Sequence, residues 1–157
     1  MNASPPAPAI LLGAAGLLPF LGLALGALSR PEPEATHFLA WLIAYGAVIL
    51  SFLGAVHWGF VLAAEQPARA GMRLSLGVLP ALLGWAAIWL GDSGVPVAAI
   101  GLLIASFLAV AVTERSFFIR GWLPRYYLWL RYLLTLVVVL ILATVLTLRV
   151  LGARILL

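Results

Sequence analysis

Apolar residues run almost unbroken through this chain, punctuated by a few short stretches where prolines, glycines and charges gather. Between those stretches lie five apolar runs: about Ala9 to Leu28, Phe38 to Ala64, Leu74 to Leu90, Val95 to Thr113, and about Tyr127 to Leu151. A hydrocarbon core about 30 Å thick takes roughly 20 helical residues to cross, so each run predicts one transmembrane helix. The connectors agree: "SRPEPEATH" and "EQPARAGMR" are polar loops, and "GDSG" is a tight turn that makes the third and fourth helices an antiparallel hairpin. "ERSFFIRGWLPRY", from Glu114, holds the most charge and aromatic side chains and reads as the last connector. The expectation is an all-α integral membrane protein, a compact bundle of five transmembrane helices forming one domain over residues 1–157. Pro19 and Pro80 fall inside the first and third runs and should kink them. No Lys or Arg precedes Arg30, and the first run is longer than the apolar core of a signal peptide, so it is expected to be a helix of the bundle.

Composition confirms the solvent. Hydrophobic residues make up 65% of the chain and charged ones 9%, with a mean hydropathy of +1.18, whereas about a quarter of a soluble domain is charged. All nine basic residues are arginine, in a background rich in Ala, Leu, Gly and Val, which points to a GC-rich bacterial source and its inner (cytoplasmic) membrane. Five crossings put Arg69, Arg73, Arg115, Arg120, Arg125 and Arg131 on the side of the N-terminus, and Arg30, Arg149 and Arg154 on the other. By the positive-inside rule the N-terminus is cytoplasmic and the C-terminus periplasmic. A net charge of +4 could suggest nucleic acid, but arginines dispersed among apolar helices form no patch that follows a phosphate backbone. The absence of cysteine removes disulfides and thiolate chemistry. His37 and His57 have no carboxylates spaced around them as metal ligands, so neither a metal nor another cofactor is expected.

The second helix carries the most informative pattern. At 100° per residue, Ala40, Ala44, Ala47, Ser51, Gly54 and Ala55 share one stripe. Lipid gives helices no hydrophobic reason to associate, so close backbone approach along such a seam supplies packing energy, and this helix should lie at the centre of the bundle. "GLALG", with Gly22 and Gly26, is a candidate partner seam in the first helix. His57 flanks the stripe, about two turns before Ala64, with Trp58 on the seam face. A buried imidazole there is either a structural hydrogen-bond donor or one wall of a ligand site. Arg131 lies about one turn into the fifth helix, with Thr135 one turn further on the same face. An unpaired arginine at the bilayer centre costs roughly 3 kcal/mol, so Arg131 should snorkel or find Glu114, Glu65, a lipid head group or a ligand carboxylate. Trp122, Tyr126, Tyr127 and Trp129 at one surface, and Trp41 and Trp89 near the other, suit interfacial anchoring.

At these residues the chain resembles a known family. "YGAVILSFLGAVHWG" in the second helix, Leu79 with Pro80, and "WLPRYYLWLRYLLTL" from Trp122 are similar to the small membrane proteins grouped as domain of unknown function 3429, whose animal members are called transmembrane protein 69. The resemblance covers most of the chain and marks Tyr45, Gly46, Ser51, Phe52, Gly54, His57, Trp58, Gly59, Arg131 and Thr135 as motif positions. It implies a multi-pass membrane protein and no known activity.

No nucleophile with a base, no carboxylate pair and no cofactor motif is visible, so no catalytic residue is assigned and the leading reading is non-enzymatic; an intramembrane enzyme ranks third, with His57 as its sole candidate general base. The leading expectation is an accessory, assembly or scaffolding module that packs against other membrane proteins, or against its own copies, with Tyr45, Gly46, Gly54 and Gly59 as helix-packing positions. The alternative is a binder or carrier of a lipid, quinone or tetrapyrrole, with an intramembrane polar pocket near the cytoplasmic leaflet formed by Ser51, His57, Trp58, Arg131 and Thr135.

Overall fold

The computed structural model describes residues 7–65, 68–123 and 125–152. Pro67 and Pro124 of the arginine-rich connectors, and the tail residue Arg154, lie outside them. Six helices are present: α1 (Ala7–Ala15), α2 (Leu17–Ser29), α3 (Glu34–Leu62), α4 (Ala70–Asp92), α5 (Pro96–Ile119) and α6 (Arg125–Val150). α1 and α2 form one interrupted span, so the described residues make five helical spans long and apolar enough to cross a membrane. There is no strand among the described residues.

The first span breaks at Gly16, three residues before the proline expected to kink it. Pro19 has no N–H to offer and crowds the preceding turn. With the break at Gly16, Pro19 sits in the first turn of α2, where backbone donors lack intrahelical partners anyway. Tyr45 of α3 secures the junction, its Oη donating to Gly16 O at 2.9 Å.

Three spans outrun their apolar patterns. α3 starts at Glu34 and α4 at Ala70, while α5 continues past Thr113 to Ile119. Glu114, Arg115 and Ser116 are therefore helical, not connector. Charge lowers hydropathy but does not break a helix; what ends α5 is Gly121. At φ +73° it adopts the left-handed conformation that a side chain disfavours. Trp122 N–H then reaches Phe117 O at 3.0 Å and Gly121 N–H reaches Phe118 O at 2.9 Å, a Schellman closure. Gly94, at φ +83°, ends α4 in the same way and turns the chain into α5.

α3 is the most buried span, with 44% of its apolar window inside the bundle against 33% or less for the others. It packs on α2, α4 and α5, and α6 closes the bundle against α5 and α2. The α3 seam meets α4, not "GLALG". A Cβ on Gly54 would strike the backbone carbonyl of Gly77, and one on Gly84 would come within 3.0 Å of the Ala47 backbone. Gly46 admits Leu103 of α5, whose side chain a Cβ would meet at 2.9 Å. Gly59 and Gly22 have open space around them, whereas Gly26 accommodates the Phe38 ring. Leu42, Leu50, Ile100, Leu103, Phe107 and Leu142 fill the interior, each at most 1% exposed. Trp41, Trp85, Trp89 and Trp129 point outward, each more than half exposed, as lipid-facing anchors do.

Candidate functional site

The extension of α5 carries a carboxylate into the bundle. Glu114 stands five residues before the end of α5, about 7.5 Å along the helix, and is 0% exposed. His57 is five residues from the end of α3, and Tyr127 and Arg131 are in the first turns of α6, so all of them lie at the arginine-rich end. Tyr127 Oη donates to Glu114 Oε1 at 2.9 Å. Arg131 Nε donates to both carboxylate oxygens at 3.2 Å. His57 Nε2 lies 3.8 Å from Oε1, beyond hydrogen-bond length, and its ring meets the edge of Phe117 with centroids 5.2 Å apart.

Arg73, near the start of α4, is also buried, at 4% exposure. Its guanidinium lies 5.0 Å from the Trp122 ring centroid, and that of Arg120 lies 5.3 Å from it, within cation–π range. Trp122 and Tyr127 are thus inward-working parts of the network as much as surface anchors. Among the described residues the buried charged groups are one carboxylate, Glu114, and two guanidiniums, Arg73 and Arg131. Several polar atoms here have no partner: Arg131 Nη2, Thr135 Oγ1, Arg73 Nε and His57 Nδ1 are all buried and unbonded. Such atoms are costly and point to missing partners.

Two of the residues that carry them, Arg131 and Thr135, line a cavity. About 400 Å³ opens between the first span, α3 and α6, with Tyr127, Arg131 and Thr135 as its polar wall and Leu12, Phe20, Phe52, Leu134 and Val138 among its apolar ones. This size and lining are those of small-molecule sites, apolar with a few placed polar groups.

Of the five candidate ligand residues, the fold unites three. Arg131 and Thr135 share the cavity wall, and His57 meets Arg131 through Glu114. Ser51 is exposed and bonds back to Ala47 O at 2.9 Å. Trp58 lies on the α4 side, covering Gly77 and donating from Nε1 to Leu74 O at 3.0 Å. Trp58 therefore serves the α3–α4 contact, and neither residue lines the cavity. Glu114 was legible as a possible partner of Arg131 but not as the centre of the network. Arg73 was legible only as a topology signal, although a charge falling inside an otherwise helical stretch was available at both.

Five helical spans gathered around a buried, arginine-compensated carboxylate define a polytopic membrane protein with a buried polar centre. The chain belongs to the family described as "Protein of unknown function (DUF3429)", whose model matches residues 5–147. It is similar to Transmembrane protein 69 of Xenopus tropicalis, 36% identical over 140 residues, covering 85% of this chain and 51% of that protein. Against Transmembrane protein 69 of Mus musculus it is 34% identical over 134 residues, 84% of this chain and 52% of that protein. The chain spans about half the length of these curated relatives. No solved structure matches it.

Proposed function

We propose that this protein binds a membrane amphiphile whose apolar body lies in the cavity between the first span, α3 and α6, and whose head offers an acceptor oxygen to Arg131 and Thr135. The supporting observation is that Arg131 and Thr135 line that cavity and that each carries a buried group without a hydrogen-bond partner, Nη2 and Oγ1. Both can donate to the same kind of head, a phospholipid or fatty-acid oxygen or a quinone carbonyl. With the arginine-rich end facing the cytoplasm, the head lies in the cytoplasmic leaflet of the host membrane. An accessory or scaffolding role would draw on the small-residue seam of α3, of which α4 covers Ala47 and Gly54 while Ala40, Ser51 and Ala55 stay exposed.

The test is extraction of the full chain into native-lipid nanodiscs and mass spectrometry of what stays bound after delipidation. One amphiphile class should persist near one mole per mole. Thr135→Val keeps the shape and removes only an unsatisfied hydroxyl, so folding should be unharmed while occupancy falls several-fold; Leu134→Trp should fill the cavity and abolish it. A wild-type chain enriched in nothing over bulk lipid, or variants with unchanged occupancy, would refute the reading.

A further inference from the structure

At the end of the bundle opposite Glu114, a groove of about 280 Å³ lies between the start of α3, the end of α4, the turn into α5 and the last turn of α6. Thr36, Asp92 and Arg149 supply its polar part, and Ala40, Ile43 and Ile88 are among its apolar residues. It shares no lining residue with the larger cavity, so an occupant here is independent of one there. The groove opens at the bundle surface. Thr36, Ala40 and Asp92 are exposed and Ile88 is half-buried, while the Arg149 side chain is 23% exposed, so a molecule from outside can reach them.

Polarity changes with depth on both helices that flank it. On α3, Thr36 stands in the first turn, Ala40 one turn further in, and Ile43 about 10.5 Å from Thr36 along the axis. On α4, Asp92 is the last residue and Ile88 lies one turn inward. An occupant therefore meets polar groups at the end of the bundle and apolar ones further in, which is the gradient of a phospholipid and not of a water-soluble ion. Charge defines its head. Arg149 is paired with Glu32, Nη1 to Oε1 at 2.9 Å, whereas the Asp92 carboxylate enters no ion pair or hydrogen bond among the described residues. The C-terminal carbonyls of α4 add partial negative charge beside it. The Thr36 hydroxyl gives its proton to Glu32 Oε2 at 2.6 Å and keeps lone pairs that accept. The groove thus calls for a cation that donates hydrogen bonds.

A bare metal ion needs several oxygen ligands, and no group of three His, Cys, Asp or Glu residues gathers to hold one among the described residues. A quaternary ammonium head has no N–H to donate and is held by aromatic rings, of which the groove lining has none. We infer that the groove binds a phospholipid with a primary ammonium head, of the phosphatidylethanolamine type. Its ammonium faces Asp92 and Thr36, and its glycerol and upper acyl chain lie against Ala40, Ile43 and Ile88. Its phosphate is directed to Arg149, whose terminal nitrogens each keep an N–H beyond their bonds to Glu32 Oε1 and Ala27 O. Because the groove is open, this lipid exchanges with the bilayer around it and is not retained through delipidation.

Native mass spectrometry of the full chain in mild detergent, titrated with dioleoyl phosphatidylethanolamine or dioleoyl phosphatidylcholine, compares the two heads on equal acyl chains. The ethanolamine lipid should bind about three- to fivefold tighter, the range of a partly solvated ion pair. Asp92→Asn should remove that preference; a neutral amide suits the end of α4 better than a carboxylate does, so the fold is retained. Glu34→Gln removes a carboxylate from the same end of the bundle but not from the groove, and should leave the preference as it is. Ala40→Trp, which fills the groove, should abolish it. Equal affinity for the two lipids overturns the inference, as does a preference that survives Asp92→Asn or disappears with Glu34→Gln. Displacement of the lipid by an equal concentration of water-soluble phosphoethanolamine would overturn it too, by assigning the groove to a free amine.

Discussion

If Glu114 neutralises Arg131 inside the bundle, the two residues must be energetically coupled, and the coupling can be measured. Glu114→Gln keeps the side-chain shape but leaves Arg73 and Arg131 buried without a counter-charge. Removing one partner of a buried pair costs about 3–5 kcal/mol, and an uncompensated arginine in a span costs about 3 kcal/mol. The lower end applies here, about 3 kcal/mol, because the Gln oxygen can still accept from Tyr127 and Arg131 Nε, and Trp122 still covers Arg73. Arg131→Met removes the guanidinium that bonds Glu114 at 3.2 Å, and should cost a similar amount. The double variant should cost clearly less than the sum of the two, since neither charge is then left facing an empty partner, with a coupling of about 2 kcal/mol. The assay is reversible unfolding of the full chain in mixed micelles, followed by tryptophan fluorescence. Single-variant effects that add to within about 0.5 kcal/mol would refute the reasoning, as the ion pair would then contribute nothing specific.

Two further outcomes concern the packing and the opposite end of the bundle. Gly54→Ala directs a methyl at the Gly77 carbonyl, a backbone atom that cannot swing aside, and should cost about 1–3 kcal/mol or more, while Gly59→Ala, with open space around it, should stay within about 0.5 kcal/mol; thermal unfolding in micelles separates them. At the α2–α3 loop, Glu32 accepts from Arg149 Nη1 at 2.9 Å and from Thr36 Oγ1 at 2.6 Å, and hydrogen bonds from Thr36 and then Arg149 hold its carboxyl below the ordinary 4.5. A lowered folded-state value means that this clasp contributes fully above about pH 4.5 and is lost as pH falls through the lower value. Wild type should therefore lose thermal stability between pH 5 and pH 3, in about that window, more steeply than Glu32→Gln, and identical pH profiles would show that the clasp contributes nothing.

The bundle was legible because its signal is redundant: five runs of apolar residues about as long as a membrane is thick leave few alternatives. The hidden parts have separate physical causes. Hydropathy treats a charge as an ending, so Glu114 was assigned to a connector although nothing near it breaks a helix until Gly121. The seam on the second span was visible from spacing, but not its partner, because Gly77 and Gly84 are ordinary glycines until α4 is placed against Gly54 and Ala47. Ser51 and Trp58 were grouped with His57 by proximity in sequence, whereas angular position separates them: Trp58 turns toward Leu74 and Gly77, and His57 toward Glu114 and Phe117. Arg131 and Thr135 were recoverable because four residues on a helix is a fixed spatial relation, independent of how the spans assemble.

The network also ties the fold to the cavity. Arg131 bonds Glu114 through Nε, shared between the two carboxylate oxygens, while its Nη2 is buried without a hydrogen-bond partner and the residue itself lines the cavity with Thr135. An arginine bound to its carboxylate by both ends of the fork would be as well neutralised but would have less left to offer a ligand. The Tyr127 hydroxyl on Oε1 contributes to that asymmetry by taking acceptor capacity that the guanidinium would otherwise use. Glu114 therefore acts on the cavity at one remove: it fixes the direction of the Arg131 donor without lining the cavity itself. The stability of the span assembly and the direction of the Arg131 guanidinium are set by the same carboxylate, so a neutral Gln at that position should loosen both together.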